Sequence, residues 1–446
     1  MMSVIYRKLS QSQILAGGFL LIAVIGGLIL NLPISSANNE SVGLLNAMFT
    51  SISAVCVTGL IAVDTGTYWS LFGKTVIIIL IQIGGLGFMT IATMGIKFMG
   101  KKISFSERLV IQESLNSGKI SGVIRLSKNI VIISFIIELI GMFFLSFVFI
   151  PEMGIIKGIA YSIFHSISAF CNAGFDIMGN FSSLVKYYNN MIVNFTIMFL
   201  IIFGGLGFST ILDIKDKKNF YKLALHTKIV IITTSLLILI PSIIFFLIEM
   251  NNPQTMGEMK LWEKVLVSLF QIVSPRTAGF NTIDINAMRD SSKFLTIILM
   301  FIGGSPASTA GGLKTTTFAI ILISVISLIK ERENIEAFGR RISYNVLNKA
   351  LVILVIGFFL VFTGTMIISL TNPQFDFLTI LYEVTSAYGT VGLTLGITTK
   401  LNAVAKIVLM IIMFSGRVGS LTVLYTFITD LGQKKYIYPK EDIAVG

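Results

Sequence analysis

The sequence predicts an all-α polytopic membrane protein: four helix–pore-loop–helix repeats in a pseudo-fourfold arrangement, with eight transmembrane helices and four re-entrant pore helices. Three observations predict it. The 446-residue chain is 54% hydrophobic and 13% charged, with a mean hydropathy of +0.87, whereas a soluble domain carries roughly a quarter charged residues. Its apolar residues fall in long runs near the ~20 residues that cross a bilayer. Four short segments also look like copies of one another: SAVCVTGL at 53–60, SAFCNAGF at 168–175, VSPRTAGF at 273–280 and SAYGTVGL at 386–393. Their glycines, Gly59, Gly174, Gly279 and Gly392, lie 115, 105 and 113 residues apart. Each is followed 24 to 30 residues later by glycines in an apolar stretch, at Gly84, Gly204, Gly303 and Gly416. That period is too long for a solenoid and suits a membrane hairpin used four times. The repeats are read as 1–100, 101–218, 219–332 and 333–446.

The spans are placed near 14–30, 74–96, 130–150, 191–212, 229–248, 294–328, 350–370 and 405–428. The first follows Arg7 and Lys8, lacks a small-residue cleavage site and ends at Asn31-Leu32-Pro33, so it reads as a retained helix rather than a signal peptide. Between the spans of each repeat lies a shorter apolar stretch, at 42–55, 158–171, 262–274 and 377–388. These are too short to cross and have the length of re-entrant segments. Each leads directly into one of the four glycine-ended segments.

Net charge is +12 and pI about 9.5. The loops 97–128, 215–228 and 330–349, with the two termini, hold 22 of the 34 Lys and Arg. This is the positive-inside pattern, which accounts for the charge without nucleic acid. It puts both termini in the cytoplasm and the four glycine-ended loops outside.

Non-helical backbone survives at membrane depth only when buried in protein or lining water. A cation can supply the missing partner, and the C-terminal end of each half helix adds partial negative charge. Successive carbonyls face one side only if the backbone alternates into positive φ, which glycine tolerates. Four such loops on one axis make a ring of carbonyls, the device that replaces a monovalent cation's water. Cys56 and Cys171 stand three residues before their glycines and read as small buried packing residues rather than a disulfide. His165 and His226 are too few for a metal cluster.

The sixth span is long and interrupted. Gly303, Gly304, Ser305 and Pro306, then Ala310, Gly311 and Gly312, cannot stay helical, because proline removes a donor and clashes with the preceding turn. The small residues and hydroxyls, from Ser305 to Thr315, Thr316 and Thr317, favour a polar loop inside the membrane over a simple kink. Arg417 lies within the last span, where a charge faces either a partner or a cavity.

At these residues the chain resembles the Trk/Ktr/HKT superfamily of potassium transporters, most closely its KtrB-type membrane subunits, over nearly its whole length. The four segments look like that family's filter loops. FIGGSPASTAGGLKTTT at 301–317 is similar to its interrupted third inner helix. The short N-terminal tail favours KtrB over TrkH-type relatives, which carry two extra helices. The resemblance implies potassium bound at filter carbonyls from Val57, Thr58 and Gly59; Asn172, Ala173 and Gly174; Thr277, Ala278 and Gly279; and Thr390, Val391 and Gly392. It implies an intramembrane gate over Gly303, Gly304, Ser305, Pro306, Ala307, Ser308, Thr309, Ala310, Gly311 and Gly312, with the gate region extending through 317. It puts Arg417 in the pore beneath the filter. Lys314 either snorkels to the cytoplasmic surface or contacts the pore. The loops are unequal, Asn172 standing where the others have Val57, Thr277 and Thr390, so sodium is expected to pass as well.

The resemblance further implies a homodimer in a bacterial-type cell membrane, one pore per chain, controlled by a cytoplasmic KtrA-type ring that binds ATP or ADP. No cofactor is expected in this chain. The basic loops 101–128 and 330–349 are candidate docking surfaces, and the tail 430–446 a dimer or partner contact. There is no Walker segment: Gly84-Gly85-Leu86-Gly87 and its copy Gly204-Gly205-Leu206-Gly207 sit in apolar helices and read as inner-helix packing. Asp64, Asp176 and Asp284 follow their glycines closely, as solvated loop acids or an electronegative vestibule; the fourth repeat has Thr394 and Thr398 there. Glu138 has no partner evident in the sequence and is assigned no role. A TrkH-like transporter or channel is the near alternative. An ion-coupled solute symporter would show inverted repeats, and a membrane-embedded enzyme would need paired acids or a histidine site.

Overall fold

Four times along the chain a long helix, a short helix and a broken helix follow in that order. The computed structural model describes residues 10–100, 103–115, 121–427 and positions 439, 441 and 443; most of the tail 430–446 and of the extreme N-terminus lie outside them. The long helices are Gln11–Leu30, Val123–Met153, Leu225–Glu249 and Tyr344–Thr371, of 20, 31, 25 and 28 residues. At ~1.5 Å per residue each reaches about 30 Å or more, the hydrocarbon thickness. Only about a third of each apolar window is buried in protein. Leu139, Phe143 and Phe147 on one helix and Phe359, Phe362 and Met366 on another are exposed, which suits a face solvated by lipid.

The short helices are Leu44–Val55, Ile155–Phe170, Leu261–Val273 and Phe377–Gly389. One device joins long to short helix in the first two repeats. Gly26 admits Ser51, whose Oγ donates to the Ala23 carbonyl at 2.6 Å; Gly141 admits Ser166, whose Oγ donates to the Glu138 carbonyl at 2.6 Å. The missing Cβ is what lets the hydroxyl reach the opposing backbone.

The broken helices correct the sequence reading. The stretches 74–96, 191–212 and 405–428 were expected as single continuous spans. Instead Leu71–Leu86 and Phe88–Phe98 meet at 96°, Met191–Leu206 and Phe208–Lys217 at 94°, and the pair starting at Ala403 and Ser420 at 102°. The hinges are Gly87, Gly207 and Gly419, at φ of 80, 89 and 98°. A helix cannot continue through that left-handed backbone. The third repeat breaks as expected, into Asp290–Phe301 and Thr315–Ile329 around a loop. The chain is also not wholly helical: Ile335–Ala337 and Arg340–Ile342 form a small antiparallel hairpin turned by Phe338 and Gly339, both at positive φ.

Glu138, for which the sequence showed no partner, has one. Gln82 of the first repeat donates to its two carboxylate oxygens at 3.0 and 3.1 Å, and Cys171 Sγ lies 3.5 Å from the Gln82 Oε1. A buried polar triad thus links the first two repeats. Cys56 and Cys171 are both buried free thiols.

Candidate functional site

Each short helix ends in the same backbone manoeuvre. Val57, Asn172, Thr277 and Thr390 sit at φ of 57, 58, 72 and 51°, and two residues later Gly59, Gly174, Gly279 and Gly392 sit at 87, 66, 80 and 90°. Three of the first set are β-branched, for which positive φ is strained. The amide after each strained residue is caught by its own short helix: Thr58 by the Ser53 carbonyl, Ala173 by Ser168, Ala278 by Ser274 and Val391 by Ser386, at 2.8 to 2.9 Å. The same serines use their hydroxyls too. Ser53 and Ser386 accept from the N–H of Gly59 and Gly392 at 3.1 and 3.0 Å; Ser168 and Ser274 donate to the carbonyls of Phe175 and Phe280. These four serines escaped the sequence reading, although their recurrence in every segment was the available signal.

The four loops meet. A Cβ built on Gly59 would strike the Ala173 carbonyl, with Gly174 Cα at 3.1 Å; on Gly174 it would meet the Ala278 carbonyl at 2.7 Å; on Gly279, the Val391 carbonyl; and on Gly392, the Thr58 carbonyl. The sequence of contacts runs 59 to 174 to 279 to 392 and back to 59. The four glycines therefore form a closed ring, each against the next repeat's backbone. Thr58, Ala173, Ala278 and Val391 are buried behind it. The Asn172 amide is hydrogen-bonded to the Thr277 hydroxyl of the neighbouring loop at 3.2 Å.

The loops beyond the ring are knit together. Asp64 of the first accepts from Thr67 N and Oγ1 and, in the second loop, from Asn180 N at 3.1 Å and Phe181 N at 3.0 Å. It is 8% exposed and hydrogen-bonded within the protein, not a solvated loop acid. Leu184 N donates to the Asn281 carbonyl, and Asn281 N to Ser183 Oγ. Charged acceptors of this kind contribute ~1.5–3 kcal/mol each. Asp64→Ala should thus cost about 3 kcal/mol overall, read as a lowered thermal midpoint of the purified protein, with Asp64→Asn in between. Asp284 differs: it is exposed and lines an outer cavity of about 300 Å³ together with Gly279, Gly392 and Thr394. Asp176 is half-buried and accepts from Met178 N at 3.0 Å.

On the other side of the ring lies the broken third helix. Gly311 faces the Thr390 side chain and Gly303 the Thr277 methyl, so the loop runs directly behind those residues. Part of its backbone is paired with other repeats. Ser305 N and Thr309 N donate to the carbonyls of Gly205 and Gly204, Gly312 N to Gly416, and Phe208 N, freed by the Gly207 hinge, to Ala307. Ser305 Oγ and Thr315 Oγ1 are 2.9 Å apart, and Ser308 Oγ donates to the Ser305 carbonyl. Arg417 spans the site: its guanidinium donates to the carbonyls of Thr309, Gly84 and Gly85. No salt bridge reaches it among the described residues. Lys314 Nζ donates to the Ala310 carbonyl at 2.6 Å, so it contacts the loop. A cavity of about 530 Å³ opens beneath, lined by Pro306, Ala310, Gly312, Lys314 and Arg417.

Gly84, Gly204 and Gly416 each lie against the carbonyl two residues past their repeat's serine, Val55, Phe170 and Tyr388. In the third repeat Gly303 faces Gly311 of the loop instead. The loop thus takes the place of a helix contact made three times elsewhere.

Comparison with known proteins supplies the context. Residues 19–438 match the TrkH family model, described as a cation transport protein. The chain is 42% identical to Ktr system potassium uptake protein B of Bacillus subtilis, over 98% of this chain and 97% of that one. It is also 42% identical to the potassium/sodium uptake protein NtpJ of Enterococcus hirae, over 99% and 98%. Its fold is similar to the crystal structure of the potassium transporter TrkH from Vibrio parahaemolyticus, with a TM-score of 0.74 at 19% identity, covering 94% of this chain and 85% of that one.

Proposed function

The chain belongs to the TrkH family of cation transport proteins, as a KtrB-type member of the Trk/Ktr superfamily, and on that footing we propose that it carries potassium into the cell as the ion-translocating subunit of a Ktr-type complex. It is a multi-pass membrane protein and a transporter rather than an enzyme. In this reading the four long and four broken helices cross the bilayer, the four short ones enter it part way, and both termini are cytoplasmic. The single observation that carries the reading is the closed ring of four glycines, each against the next repeat's carbonyl.

Potassium passes from the outer cavity through the ring. There the carbonyls of Val57, Thr58 and Gly59 and of their counterparts 172–174, 277–279 and 390–392 replace its water. Because Asn172 bonds sideways to Thr277, the innermost ring is not fourfold, and sodium enters too. The loop 303–317 is the gate, held by Arg417. A cytoplasmic nucleotide-binding ring moves it, and two copies of this chain pair upon that ring. ATP or ADP binds the partner, not this chain.

Expression in a bacterium lacking its own potassium uptake, with the nucleotide-binding partner supplied, should restore growth at submillimolar potassium. Sodium should alter the uptake rate. Failure to grow, with the protein present in the membrane, would overturn the proposal; growth and uptake indifferent to sodium would remove only the sodium part.

A further inference from the structure

The fourth short helix buries a carboxylate that the filter loops do not account for. Glu383 is fully buried. Thr394 Oγ1 donates to one of its oxygens at 2.6 Å and Thr398 Oγ1 to the other. Among the described residues no basic side chain pairs with it. Thr394 lies two residues past Gly392 of the ring, and both threonines line the outer cavity with Gly279 and Gly392. Thr394 Oγ1 also accepts from Gly396 N at 3.0 Å. One carboxylate therefore holds the returning limb of the fourth loop at two points.

Three residues before the repeat's serine stand Thr50, His165, Gln271 and Glu383, nine residues before the ring glycine in three repeats and eight in the third. All four are buried. Thr50 and His165 bond back to carbonyls of their own helices, Asn46 and Tyr161. Gln271 reaches Thr282 beyond its glycine at 3.4 Å. Glu383 alone is an acid. The fourth loop is also the one without an acid of its own, so its charge arrives from the helix beneath. A carboxylate served by two hydroxyl donors in water-poor surroundings is weakly screened, and its field falls on the cavity those hydroxyls line.

We propose that Glu383, through Thr394 and Thr398, is the positioning residue of the outer mouth: it fixes the fourth loop's shape and adds its charge to that of Asp284, which lines the same cavity, in capturing an incoming alkali cation there. This rests on the potassium-uptake reading for its transport consequences, not for cation capture itself.

Two measurements test it. The first is potassium and sodium uptake by the partner-loaded complex in cells. Glu383→Gln keeps the shape and removes the charge, so the potassium concentration for half-maximal uptake should rise about tenfold while the maximal rate stays within about twofold. The double variant Thr394→Val, Thr398→Val keeps the carboxyl group but frees the limb, and should lower the preference for potassium over sodium. The second is thermal stabilisation of the purified protein by potassium or sodium against choline, which needs no transport. Glu383→Gln should shift the stabilising concentration about tenfold upward. An unchanged half-maximal concentration in both assays overturns the proposal, as does an equal loss of rate for both ions with affinity unchanged. If the wild type takes up no potassium yet its cation stabilisation is weakened in Glu383→Gln, the transport reading fails and the capture role stands.

Discussion

Replacing Gly279 with alanine should reduce potassium uptake about a hundredfold without removing the protein from the membrane. At φ 80° an alanine is in the left-handed region, which costs ~1–2 kcal/mol. Its Cβ would also overlap the Val391 carbonyl, with Gly174 Cα at 3.0 Å and Gly392 Cα at 3.4 Å. All three obstacles are backbone belonging to the neighbouring loops, so no side chain can swing away. The ring must widen, at a further cost of about 1–3 kcal/mol, and, on the proposed route, a widened ring would no longer replace the ion's water on all sides. About 3 kcal/mol on the barrier is roughly two orders of magnitude in rate. Gly59, Gly174 and Gly392 face the same obstacles in turn and should behave alike. Gly95→Ala is the control, since nothing lies within 4 Å of a Cβ there. Uptake per molecule in the membrane, measured with potassium or rubidium, decides it; near-wild-type rates in any ring variant would mean that ions do not pass through the ring.

Much of this architecture was legible in the sequence because it is periodic. Four copies of one segment, each followed by a second glycine cluster, announced four hairpins, and Pro306 among glycines announced the break in the third. What escaped notice has definite physical causes. Gly87 and Gly207 were read as helix packing and Gly419 was given no reading, since a glycine in an apolar run serves close approach and sharp bending equally well. The positive φ of Val57, Thr277 and Thr390 runs against the preference of β-branched residues; such strain persists only where surroundings over-determine it, here through the serine carbonyls. Glu138 could not be matched with Gln82, nor Asp64 with Asn180, because those partners lie 56 and 116 residues away and meet only when repeats assemble. Glu383 hid in a helix whose neighbours are apolar or small, with its threonines on the far side of the glycine.

Loosening the loop behind the ring should have the opposite sign from damaging the ring itself. Deleting residues 305–312 should raise potassium flux several-fold and abolish its control by the nucleotide-binding partner. The loop lies against Thr277 and Thr390, in the path from ring to inner cavity. Of the groups it would leave behind, the Gly204 and Gly205 carbonyls and Phe208 N, Phe208 lines the inner cavity, and water entering from there can replace the lost partners, so the helices need not collapse. Arg417 separates the loop's obstruction from its charge. A fixed cation beside the path opposes a passing ion; two unit charges ~8 Å apart at an effective dielectric near 20 repel by about 2 kcal/mol. Arg417→Gln removes that charge and most of the fork, and should raise flux by about tenfold at most, since ~1.4 kcal/mol is tenfold and water screens part of the field. Arg417→Lys keeps the charge but cannot span the carbonyls of Thr309, Gly84 and Gly85 together. If the arginine acts as a latch, the lysine variant should lose nucleotide control while its open-state flux stays near wild type. If it acts only as a barrier charge, lysine should change neither. Should the deletion leave both flux and regulation intact in a well-expressed protein, the obstruction must lie elsewhere, and the hinges at Gly87, Gly207 and Gly419, which turn three other helices toward the same cavity, would become the next place to look.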